Sequence, residues 1–139
     1  MMIQETTQVL QVLHQVAKEQ RSNLTFLDVE TGIIKSLVEN HCQWFRDGPD
    51  MYKFQFMCGQ LSQLAMLKLN ITRDVMHYHD SLNATIDGSH VKSDDFLMHE
   101  NERINKELID LDKSFKRLKK QLLTLKRSFA IQPVHKNQC

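Results

Sequence analysis

Histidine and cysteine are the side chains in this sequence best suited to hold a metal or act as base or nucleophile, and their spacing argues against both. His77 and His79 stand two apart. On a helix such residues point roughly 200° away from each other and cannot share one ion. They are therefore expected to be scattered, solvated histidines. His41-Cys42, Cys58, His90 and His99 show none of the paired spacings of structural zinc sites. No GxGxxG, GxxxxGK[ST], GxSxG, HExxH or EF-hand pattern occurs, and four glycines leave little material for a phosphate cradle. The expectation is a chain that is not an enzyme and needs no cofactor or metal.

Other features that could carry chemistry have simpler readings. The N-x-[ST] triplets at Asn23, Asn70 and Asn83 count only on a secretory route, and the N-terminus (MMIQETTQVLQ) lacks the basic region and apolar run of a signal. Cys42, Cys58 and Cys139 are odd in number and without CxxC spacing, which suits reduced thiols inside the cell. No apolar run approaches the ~20 residues that span a bilayer, so no membrane partner is expected. Trp44, beside Phe45, reads as a core anchor before a recognition residue. A cationic stretch from Lys113 to Arg127 contains Lys116, Arg117, Lys119 and Lys120. It reads as a solvated face, or as contacts to an acidic partner such as the acidic tails of microtubules or nucleic acid. The lack of aromatics for base stacking on its outer face disfavours nucleic acid.

The elements that would position these groups are helical. Pro49 and Pro133 are the only prolines, so the stretch from Asp50 to Gln132 is without the strongest helix breaker. Val9, Leu10, Val12, Leu13 and Val16 recur at helical spacing in a first helix, Ile3 to Glu19, and Gln20-Arg21-Ser22-Asn23 interrupts the pattern. Thr25 then looks like an N-cap, and Phe26, Val29, Ile33, Leu37 and Trp44 form the stripe of a second helix that stops before Gly48-Pro49. In a third, Phe54, Met57, Leu61, Leu64, Lys68, Ile71, Val75, Tyr78 and Leu82 follow in steps of three and four until Asp87-Gly88-Ser89-His90 supplies turn chemistry. The fourth repeats in strict heptads, with Leu97, Ile104, Leu111, Leu118 and Leu125 at d and Asn101, Leu108, Phe115, Leu122 and Phe129 at a. Leu97 to Phe129 would span roughly 50 Å as a helix.

The expected fold is thus all-α: two shorter N-terminal helices, then two long coiled-coil helices. The expected division is a helical pair over 1–48, the long helices over 49–133 and a polar tail over 134–139.

The long seams are narrow, two apolar positions per heptad, where a closed bundle usually recruits a third. This points to coiled-coil pairing within a hairpin, with other chains, or both. Glu107 would face Asp112 of an identical parallel helix, which disfavours a homodimer. Phe115 and Phe129 at a positions ask for a wider hole, offered by a different sequence or by more than two helices. The fourth helix is acidic in its first half and basic in its second, a gradient that selects the orientation of a partner. Asn101 either fixes register or frays a helix start. The expected partner interface is therefore Leu61, Leu64, Ile71 and Val75 with the apolar a and d residues from Leu97 to Phe129, Asn101 excepted, meeting other coiled-coil subunits in a hetero-oligomer.

With these seams from Phe54 to Leu82 and Leu97 to Phe129, the chain resembles small coiled-coil subunits of eukaryotic multi-protein complexes, most of all a small subunit of the augmin complex of the insect type. The likeness rests on size, four-helix layout and composition. It implies obligatory partner subunits, a cytoplasmic and spindle location on the microtubule cytoskeleton, and recruitment of the γ-tubulin complex for microtubule nucleation in mitosis. Kinetochore, Mediator and organelle-tethering complexes contain subunits of the same look, and the family implies no particular site residues.

Overall fold

A computed structural model describes the backbone of residues 2–45, 48 and 50–130 and the side chains of 8–40, 48 and 50–127. It contains α1 (Met2–Phe45), α2 (Met51–Asp87) and α3 (Asp94–Ala130), with no strand among the described residues. The chain is all-helical as expected, with three helices where the sequence suggested four. The side chains of Trp44 and Phe129, and the tail 134–139, lie outside the described residues.

The two expected N-terminal helices are one. Gln20-Arg21-Ser22-Asn23 contains neither glycine nor proline, so nothing in its backbone chemistry stops a helix. Thr25 is not an N-cap: its hydroxyl donates to the carbonyl of Arg21 at 3.1 Å, the i−4 back-bond of a residue inside a helix. The core face of α1 is Leu13, Ala17, Gln20, Leu24, Leu27, Thr31 and Ile34, buried except for half-buried Leu24. Its steps are four, three, four, three, four and three. Two polar members, Gln20 and Thr31, hide that period from any reading of apolar residues alone. Thr31 is accommodated by donating to the Leu27 carbonyl at 2.7 Å. Of the stripe expected on the second helix, Phe26, Val29 and Ile33 are turned outward instead and Leu37 is half-buried.

Close packing groups the chain into two compact units, Met1–Phe26 with Lys68–Asp110 and Leu27–Leu67 with Leu111–Cys139. Each takes a segment of all three helices, so neither follows the expected 1–48 and 49–133 division. In the first unit the Asp74 carboxylate of α2 meets Arg103 of α3. In the second, Gln60 and Leu64 share a cavity wall with Leu118 and Gln121, and Asp50 and Met57 with Lys120 and Leu125. In the second unit α2 positions thus fall as their α3 neighbours rise, which is the pairing of a helical hairpin.

The turn of that hairpin is built where Asp87-Gly88-Ser89-His90 promised one. Gly88 takes φ +79°, the left-handed conformation that ends helices, and the His90 amide reaches back to the Ala84 carbonyl at 3.2 Å. Asp87 accepts from the Ser89 amide, and hydrogen bonds from the Ser89 side chain and then its amide hold the carboxyl below the usual range. Buried Thr85 ties the connection down, donating to the Ser81 carbonyl and accepting from the Lys92 amide at 3.0 Å. Ser93 then caps α3 by accepting from the Phe96 amide, with Asp94 and Asp95 in the first turn and Arg127 in the last. The charge gradient of α3 therefore runs with its helix dipole.

Gly32 and Gly59 stand exposed in mid-helix, where an added Cβ would meet nothing within 4 Å. Alanine at either position should raise stability by about 0.5–1 kcal/mol, since glycine loses more backbone entropy in a helix. Alanine at Gly88 should lower it by about 1–2 kcal/mol because of its positive φ. Urea midpoints of the three variants check both signs.

Candidate functional site: a buried polar layer and the outer helix faces

The long seams are buried within the chain itself. Leu61, Ile71 and Val75 of α2 and Leu97, Ile104, Leu108, Leu111, Phe115, Leu118, Leu122 and Leu125 of α3 are buried, and Leu64 is half-buried. These residues were expected to meet other polypeptides. In this structure they are covered within the chain, where α1, as one continuous helix with its own three-four seam, supplies a third wall to each unit. The narrow seams of α2 and α3 therefore close without an outside helix. Phe115 finds the wide hole its shape requires, in a unit where three helix segments meet.

In the first unit this core is crossed by a polar layer. Gln20 of α1 and His79 of α2 are only 1% and 2% exposed. The Gln20 amide donates to Asn101 Oδ1 at 2.9 Å and Asn105 Oδ1 at 2.8 Å, both on α3. Its Oε1 lies 3.1 Å from His79 Nε2. On the other side of the ring, Arg21 Nε donates to His79 Nδ1 at 2.8 Å. One acceptor nitrogen and one donor nitrogen define the neutral tautomer with its proton on Nε2. Burial, with Arg21 and His14 adding positive charge against the opposing pull of Asp80, depresses the His79 pKa to about 4. His79 is thus a buried member of the core, where the sequence suggested a solvated residue; His77, two positions away, is exposed.

The same layer explains Asn101. It lies inside α3, half-buried, and its carbonyl is pinned by Gln20, so its polarity ties α1 to a single register on α3. Neighbouring Tyr78 is buried with its hydroxyl unpartnered among the described residues, and burial together with Glu100 pushes its pKa up to about 12. Arg103 gathers Glu100 at 2.8 Å, Glu107 at 3.1 Å and Asp74 at 3.2 Å. This bidentate pairing holds the Glu100 carboxyl below its ordinary range. With Arg103, Asp74 and Glu107 each more than a third exposed, the cluster orients the hairpin more than it stabilises it.

The cationic half of α3 is partly committed inside the second unit. Lys119 reaches the buried carboxylate of Glu30 at 3.2 Å, and Lys116 pairs with Asp112 at 2.9 Å, which raises the Lys116 pKa. Arg117 borders a 130 Å³ cavity with Gln60, Gln63 and Ser114, and Lys120 borders a 400 Å³ groove with Asp50, Lys53 and Met57. The four cations expected to act as one collar are therefore divided among different neighbours.

What the chain leaves outside is apolar surface, on α1 the stripe expected to face the core and on α2 residues beside the seam. On α1, Phe26, Val29 and Ile33 are 53%, 57% and 41% exposed, at positions i, i+3 and i+7 of one face. On α2, Tyr52, Phe56, Met66 and Leu67 are exposed, and no residue from Phe54 to Leu67 carries a charge. Gly32 and Gly59 lie within these two stretches. The α2 signal was legible in advance as an uncharged run on a helix whose seam uses only half its apolar residues.

Among the described residues, no three His, Cys, Asp or Glu side chains gather where they could hold a metal ion. No described helix is long and apolar enough to cross a membrane. Neither a family model, nor a curated protein, nor a solved structure matches the chain.

Proposed function

We propose that this chain is a non-enzymatic structural subunit of a larger protein assembly, and that it binds its partners through the outer faces of α1 and α2 rather than through its core seams. The observation that carries the reading is the exposed Phe26–Val29–Ile33 stripe together with the uncharged stretch of α2 from Phe54 to Leu67, which bears exposed Phe56, Met66 and Leu67. Apolar surface gathered on one helix face marks a contact site more often than a solvated one. The lack of charge between Phe54 and Leu67 calls for an equally uncharged partner surface, and the bare backbone at Gly32 and Gly59 lets a helix approach closely. A non-catalytic role is supported by the fate of the strongly perturbed groups: His79 and Tyr78 are locked in the core, and Arg103 is held by three acids of this chain.

In its most specific form the reading is the one implied by resemblance: an augmin-like subunit, at the spindle, supporting microtubule nucleation in mitosis with the γ-tubulin complex. Kinetochore, Mediator and tethering complexes are the alternatives, separated by the identity of the partners. Direct docking of a microtubule or nucleic acid on the basic half of α3 is less well supported, because Lys116 and Lys119 already hold acids of this chain.

The test is affinity purification with mass spectrometry on the wild type and on a variant carrying Phe26→Ser, Val29→Ser and Ile33→Ser. Stoichiometric subunits recovered with the wild type should be lost from the variant while its helical circular dichroism is unchanged. Equal recovery with both proteins, or a wild type that elutes as a lone monomer, rejects the proposed surface.

A further inference from the structure

We infer that the Gln20–His79 layer is an acid-sensitive latch that holds the first segment of α1 on the α2–α3 hairpin and releases it when the His79 ring takes up a proton. The geometry alone imposes this. Both ring nitrogens are committed, Nε2 donating to Gln20 and Nδ1 accepting from Arg21 Nε at 2.8 Å. A proton can enter only at Nδ1, and there it would place an N–H against an N–H and a cation against a guanidinium, in a core position 2% exposed. The Arg21 contact must then break, and with it the arrangement in which Gln20 clamps Asn101 and Asn105.

The groups around the ring set the sign. On α1 it faces Arg21 and His14, both of which oppose a second positive charge; on α2 only Asp80 favours one. From α3 the layer is reached by Asn101 and Asn105, which carry no charge, while Glu100 acts on Tyr78. With the folded value near 4 and an ordinary value of 6.5, the stabilisation is fully present above pH 6.5 and is lost as pH falls toward 4. The second unit contains no such layer among its described residues: its buried polar side chains are Glu30 and Thr31. Opening should therefore be confined to the first unit.

Amide hydrogen exchange on the full chain, corrected for intrinsic rates, tests this at pH 7 and pH 5. Opening constants of amides around Leu13–Gln20, Val75–Leu82 and Leu97–Leu108 should rise on the order of 20-fold between the two, with a much smaller rise around Leu27–Ile34 and Leu111–Leu122. His79→Gln, which can accept from Arg21 and donate to Gln20 without titrating, should abolish the difference between the units. An equal rise in both units, or an unchanged rise in His79→Gln, overturns the inference. Should that variant fold poorly, nitrogen chemical shifts of the wild-type ring decide: a neutral Nε2–H ring at pH 5.5 supports the latch, and an imidazolium at that pH rejects it.

Discussion

Phe115→Ala should lower the unfolding free energy by about 3–5 kcal/mol, the largest loss of any single truncation in the second unit. The Phe115 side chain is fully buried on α3, in a unit to which α1 and α2 also contribute segments. Alanine would remove most of a ring's apolar burial and leave a cavity that packed helices cannot collapse around. Phe26→Ala is the internal control. Both phenylalanines stand in an apolar helical stripe, yet Phe26 is more than half exposed and its truncation should change stability by no more than about 0.5 kcal/mol. Urea unfolding followed by circular dichroism measures both. Equal losses would mean that the inward face of α1 has been assigned to the wrong residues.

Gln20→Ala should cost on the order of 3 kcal/mol, more than its small apolar content suggests. Its amide serves three partners, His79, Asn101 and Asn105, and each buried group left unpartnered forfeits roughly 1–3 kcal/mol. The half-buried asparagines can recover part of this from water, which keeps the total below the sum. Removing His79 as well tests the mechanism. In a Gln20→Leu, His79→Leu double variant the demanding polar pair is replaced by apolar volume, and the loss should be much smaller than the sum of the single losses. Strict additivity would show that the two side chains do not act as a unit. The double variant should also keep its stability with less dependence on the register of α1, because the hydrogen bonds that define that register would be gone.

The limits of sequence reading here are set by polar residues inside the core. The α2 and α3 seams were visible because leucine, isoleucine, valine and phenylalanine repeat in steps of three and four without a break beyond Lys68 and Asn101. On α1 the same period runs through Gln20 and Thr31, so its apolar residues alone trace Phe26, Val29 and Ile33, which lie on the outward face. The false helix boundary at Gln20–Thr25 has the same origin: four polar residues look like a loop until one of them is seen to be buried and saturated with hydrogen bonds. His79 escaped notice because its partners lie 58 and 59 residues away on α1.

By itself, then, the order of residues determined that the chain is helical, where the α2–α3 turn falls and which faces of α2 and α3 are apolar, since these depend on local propensity, glycine and proline placement and period. Only the tertiary structure decided what covers those faces. A seam records that a helix has an inward side and does not record whose helix lies against it. That choice was made by α1, whose polar core residues could be recognised as core only once their hydrogen-bond partners on the other two helices stood beside them.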